Sequence, residues 1–155
     1  MKALQVANRQ QSCPLDRRWL RRLTKCLLED LLERRQYELG VHVIGAAEMT
    51  RLNESFLGHE GSTDVITFNH QDGAPEARLH GEIFICMDDA LIHARRFRAS
   101  WQSEVARYLV HGVLHLEGFD DADPPLRRAM KRRENKLLKE LSARLDLGKL
   151  ARECL

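Results

Sequence analysis

Cysteine is scarce here and unpaired in pattern. The four residues, Cys13, Cys26, Cys86 and Cys154, form no CxxC spacing and no regular framework. That argues against a disulfide scaffold and against a cysteine-based zinc site, and it fits free thiols in a reducing compartment. No hydrophobic run is long enough to span a bilayer, and residues 1–11 contain no apolar stretch of the kind that directs secretion. The expectation is a cytoplasmic protein with no membrane partner. A large charge excess is also missing. The net charge of +2 neither demands nor excludes a nucleic-acid partner, and leaves local arginine clusters as the only basic patches. Repeats, low-complexity tracts and linkers are absent too. The 155 residues therefore read as one domain, 1–155. A chain of this length buries roughly 68–70% of its unfolded surface and needs no covalent staples.

What is present is a helix with chemistry on it. His111 and His115 stand four residues apart, so their rings share one face. Gly118 ends that helix, and Asp120, Asp121 and Asp123 follow at once. Two ligands from a rigid helix and one from the turn make an open metal site, in which a vacant position can hold water. The competing reading is a pair of buried, hydrogen-bonded histidines. Two satisfied imidazoles on a helix otherwise lined by Leu109, Val110, Val113 and Leu114 have no evident use, so coordination explains the pair better. The zinc-peptidase helix H-E-x-x-H places a general base next to its first ligand. Gly112 occupies that position here, which counts against a peptidase.

Around this helix the pattern alternates strands and helices. Strands are expected at Lys2–Asn8, Val41–Ile44, Thr63–Phe68 and Gly81–Cys86. Helices are expected from Pro14 to about Arg35, from Ala46 to Phe56, from Met87 to Ala99 and from Ser103 to Glu117, with Ser100 or Ser103 as the cap of the last. A closing amphipathic helix follows Pro124-Pro125 and carries Leu126, Met130, Leu137, Leu141 and Leu145. Asn69 to Leu79, with Gly73 and Pro75, reads as a loop. The fold class is α+β: a small mixed sheet of about four strands packed with several helices, with a zincin-like metal-bearing helix. Of the remaining histidines, His70 and His80 read as exposed, His42 and His93 as ordinary, and His59 as a loop residue. Arg95, Arg96 and Arg98 form one basic run; Arg127, Arg128, Lys131, Arg132 and Arg133 form a second that reads as a solvated face.

The stretch His111-Gly-Val-Leu-His115-Leu-Glu-Gly118-Phe-Asp-Asp121 resembles the H-G-x-L-H-L-x-G-[YF]-D-H motif of the YbeY endoribonuclease family. Leu52-Asn53 with Ser62–Phe68 resembles that family's L-N-x-x-[YF]-R-x-x-x-x-T-D-V-L-S-F block, and Gly81–Cys86 its G-D-I-x-I-[SC] strand. Met130–Glu134 resembles the start of its closing helix, so the likeness runs from about Val41 to Glu134. The resemblance implies a metal-dependent, single-strand-specific endoribonuclease acting in 16S rRNA maturation and ribosome quality control. The implied metal is Zn2+, one per chain, with other transition metals as alternatives. Its ligands would be His111, His115 and Asp121, with His111 and His115 as the catalytic residues. RNA would be held by Arg51, Arg95, Arg96 and Arg98, with ribosomal RNA and the small ribosomal subunit as partners of a monomer. Two positions depart from the family. Asp121 stands where the family has a third histidine, and Asp120 and Asp123 are alternative ligands. Leu57 stands where the family has an arginine, which leaves a second reading: an RNA-associated binding factor with a mainly structural metal.

Overall fold

A computed structural model describes residues 1–71 and 78–151. The expected loop residues Gly73 and Pro75, and Cys154, lie outside the described residues. Four strands form one sheet: β1 (Lys2–Asn8), β2 (Tyr37–Ile44), β3 (Val65–Asn69) and β4 (Leu79–Cys86). Their spatial order is β1-β2-β4-β3. The first two pairings are parallel, with Val6 opposite Val41 and Val41 opposite Ile83. β3 runs antiparallel to β4 and forms one edge. The helices are α1 (Arg17–Lys25), α2 (Ala46–Leu52), α3 (Met87–Phe97), α4 (Trp101–Leu116) and α5 (Pro124–Arg144). The α+β class and its mixed four-stranded sheet are as the sequence pattern indicates. Among the described residues, no helix is long and apolar enough to cross a membrane.

The sheet is covered on both faces, and β4 shows why. Successive residues of a strand point to opposite sides. Ile83 and Ile85 enter the main core with Leu20, Leu23, Leu109, Val113 and Leu137. Phe84 and Cys86 enter a smaller core with Ile44, Met49 and Ile66. Both sets are buried. The main core therefore sits between the sheet and α1, α4 and α5, and α4 lies directly against the β4 strand.

Several boundaries differ from the sequence reading. The first helix opens at Arg17, because the Asp16 carboxylate accepts the Trp19 N–H at 3.1 Å; Pro14 precedes it. Leu15 pairs with Ala151 instead of joining the helix. Beyond α1, Cys26–Leu31 widens into a π-helical turn, with Leu32 N–H bonded to Leu27 carbonyl five residues back at 3.0 Å. Leu20, Leu23 and Leu27 are buried along one face, and Leu28 is buried beside them within the wider turn. In α4 the cap is Ser100, whose hydroxyl accepts Ser103 N–H at 3.1 Å. In α5 Leu126 is 43% exposed and is not a core residue. β2 begins four residues earlier than expected, at Tyr37. β3 begins at Val65, whose N–H is taken by the Asp64 carboxylate at 2.8 Å.

Candidate metal centre

α4 brings its two histidines to one point because their spacing matches the helical turn. Their Nε2 atoms lie 3.1 Å apart. Gly118 then adopts φ 102, a left-handed conformation that a side chain disfavours, and the chain reverses over the helix end. The turn is closed by Phe119 N–H on Leu114 carbonyl at 3.0 Å. It carries Asp121 back, with Oδ2 at 3.5 Å from His115 Nε2 and 3.7 Å from His111 Nε2. His111, His115 and Asp121 are the group able to hold a metal ion among the described residues. The three edges of this triangle can be tested against zinc. Tetrahedral ligation at about 2.0–2.1 Å puts neighbouring donors about 3.3 Å apart. The observed 3.1, 3.5 and 3.7 Å bracket that value.

Each ring is held from behind. His111 Nδ1 faces Glu134 Oε1 at 2.8 Å, and His115 Nδ1 faces the Phe119 carbonyl oxygen at 3.1 Å. Both partners are acceptors, so each Nδ1 carries the proton and each Nε2 presents its lone pair to the centre. Glu134 is 3% exposed, an unusual place for a carboxylate. Burial pushes its pKa up. Bonds from His111, from Lys131 at 2.9 Å and from Arg107 at 2.6 Å more than reverse this and bring it to about 2. Arg107 Nη1 also donates to Asn135 at 2.8 Å. The far end of α4 is pinned by Glu117, which accepts from Arg34 Nη2 at 2.6 Å and Nε at 3.0 Å.

Gly112 explains the absence of a peptidase-type glutamate in physical terms. A Cβ there would lie 2.8 Å from Ile83 Cγ2, so the position is where helix and sheet meet in the core. The alternative ligands are otherwise engaged. Asp120 accepts Ala122 N–H at 3.0 Å within the turn, and Asp123 caps α5 by accepting Leu126 N–H at 2.9 Å.

The two basic runs lie in different places. Arg95, Arg96 and Arg98 are exposed at the end of α3, and Arg51 is exposed on α2. The cavity onto which His111 and Asp121 open is lined instead by Arg127, Arg128 and Lys131 of the second run. Leu57 is 46% exposed in a wide turn after α2 that ends at Gly58. His80 and His42 are paired with Glu38 at 2.7 Å and Glu82 at 3.0 Å, and His93 Nδ1 lies 2.7 Å from Tyr108 Oη. His70 also meets Glu82, at 3.0 Å. Sequence reasoning missed Glu134 and Arg107. The signal was there: Glu134 falls in the buried stripe Met130, Glu134, Leu137, Leu141, where an acid has no reason to be without a partner.

The sequence model of the family Endoribonuclease YbeY matches residues 5–142. The chain belongs to the YbeY family. Curated relatives bearing the name Endoribonuclease YbeY include one from Finegoldia magna, 30% identical over 148 residues, covering 92% of this chain and 96% of the relative. One from Chlorobium phaeovibrioides is 37% identical over 99 residues, covering 64% of this chain and 65% of the relative. One from Chlorobaculum parvum is 41% identical over 91 residues, covering 59% and 62%. The chain thus spans somewhat less than two thirds of the length of these last two. A solution structure of a Thermotoga maritima protein shares the fold, with a TM-score of 0.66 at 23% identity, over 91% of this chain and 90% of that one.

Proposed function

We propose that this YbeY-family chain is a metal-dependent endoribonuclease that cuts single-stranded RNA at the centre built by His111, His115 and Asp121. The observation that carries the reading is the convergence of two Nε2 atoms and one carboxylate oxygen, with both rings oriented by acceptors on their far side. The donor set suits zinc, which when bound acts as a Lewis acid on a phosphate oxygen and lowers the pKa of a coordinated water to about 7. The protein's own part is to orient. Glu134 and the Phe119 carbonyl fix the tautomer of the two rings, and Asp121 adds a negative charge that a third histidine would lack. With no carboxylate beside His111 on α4, a metal held there would supply the activation of the attacking group, whether a coordinated water or the RNA 2′-hydroxyl. The role that goes with this chemistry is maturation of 16S ribosomal RNA and ribosome quality control by a cytoplasmic monomer working on the small subunit.

The test is cleavage of single-stranded ribosomal RNA by zinc-loaded protein. Cutting should stop with EDTA and with His115→Ala, and wild-type zinc content should be about one ion per chain. Cutting that persists in either case would refute the assignment. The exposed Leu57 favours a second reading, in which the chain binds RNA without cutting it. Leucine offers neither charge nor a phosphate fork. Under that reading only Leu57→Arg cuts; under ours the wild type does.

A further inference from the structure

The centre opens into a cavity of about 550 Å3, and the rest of its wall comes from α5: Arg127, Arg128 and Lys131, with Pro124 and Met130 as apolar lining. The three cations are set differently. Lys131 is bound to Glu134 at 2.9 Å. Arg127 has one long contact, Nη1 to the Asp121 carbonyl oxygen at 3.5 Å. Arg128 forms no hydrogen bond or ion pair among the described residues. No carboxylate of the wall is left for either arginine. Glu134 is taken by His111, Arg107 and Lys131, and the Asp121 carboxylate faces His111 and His115. Asp123 serves the helix cap.

Like charges at 127 and 131, one helical turn apart, oppose folding slightly, and the positive end of the α5 dipole adds to the field. The fold makes no use of that repulsion, and a bound anion would remove it. Arginine forks match phosphate oxygens in geometry. Arg127 and Lys131 are about 6 Å apart along the helix axis, room for a backbone phosphate beside the one at the metal.

We infer that Arg127 and Arg128 form a phosphate-binding subsite, which holds the RNA strand where it leaves the metal centre along α5. The inference rests on the endoribonuclease reading and specifies its substrate: RNA must extend past the scissile bond on the α5 side. The basic run at the end of α3 does not line this cavity and is the natural comparison.

The experiment measures binding and cleavage separately, on zinc-loaded protein. Binding is read by fluorescence anisotropy with a short labelled 2′-O-methyl RNA, which keeps every phosphate and lacks the 2′-hydroxyl. Arg127→Ala/Arg128→Ala should bind roughly tenfold more weakly, and the slope of log K against log salt should fall by about 1. For a cleavable RNA its KM should rise while kcat and zinc content hold. Arg128→Ala alone, which breaks no bond within the protein, should show the same change at smaller size. Arg95→Ala/Arg96→Ala/Arg98→Ala should change binding less than the α5 pair. Wild-type protein that fails to bind, α5 variants that bind within about twofold of wild type, or an α3 variant that loses as much as the α5 pair would overturn the subsite. Binding that depends on Arg127 and Arg128 in a protein that never cuts would leave the subsite standing and defeat the nuclease reading.

Discussion

Glu134 Oε1 lies 2.8 Å from His111 Nδ1, with the carboxylate 3% exposed and its other oxygen held by Arg107 and Lys131. A buried charge inside the closing helix therefore sets the direction of the His111 ring on the preceding one. α4 and α5 are bound to each other through the functional centre as well as through their apolar faces.

Glu134→Gln keeps the volume and removes the charge. Zinc affinity should fall by about 10–100-fold, the usual effect of losing an oriented partner behind a ligating histidine. Glu134→Ala should in addition destabilise the apoprotein by about 1–3 kcal/mol, since Arg107 and Lys131 lose their shared partner while remaining partly hydrated. Competition with a chromophoric chelator measures the first effect and urea unfolding the second. Unchanged zinc affinity in Glu134→Gln would mean that His111 is oriented without it.

Gly112 is a point of close approach between α4 and β4. Gly112→Ala brings a methyl to 2.8 Å from the buried Ile83 Cγ2. Overpacking of this kind costs about 1–3 kcal/mol, against about 1 kcal/mol from better helix propensity. The net result should be a Tm lower by several degrees, with zinc affinity reduced because α4 must move. A more stable variant would show that the helix can shift freely on the sheet.

Tyr37 is fully buried and donates its hydroxyl to Glu29 at 2.6 Å. Burial first, and then the bond and charge of Glu29, raise its pKa from 10.0 to about 12. A raised folded-state value means that the folded protein holds its proton longer than the unfolded chain. The stabilisation is complete below pH 10 and is lost as pH rises toward 12. Tyr37→Phe should remove this dependence, on the order of 2 kcal/mol across the window, as urea melts on either side of it would report. Equal losses in both proteins would place the titration elsewhere.

Much of the centre was legible because it is local. His111, His115, Gly118 and Asp121 lie within one helix end and one turn, where spacing alone fixes geometry. The mixed sheet was also legible, through the Ile83/Ile85 alternation and the β-branched run at Val65–Phe68. What local pattern could not carry was whatever crosses the chain. The bond between His111 and Glu134 spans 23 residues, and the contact that requires Gly112 spans 29, from Ile83. The π turn after Lys25 was hidden for another reason: the residue types do not mark its hydrogen bonds. Sequence gives the charge of the basic runs but not the cavity that Arg127, Arg128 and Lys131 line.

The most direct test is a crystal of the zinc-soaked protein measured at the zinc absorption edge, for wild type and for Asp121→Ala, Asp120→Ala and Asp123→Ala. The prediction is one anomalous peak bonded to His111 Nε2, His115 Nε2 and Asp121 Oδ2, retained when Asp120 or Asp123 is replaced and weakened or lost without Asp121. An absent peak, or one coordinated by Asp120 or Asp123 while Asp121 points into solvent, would contradict the three-ligand centre.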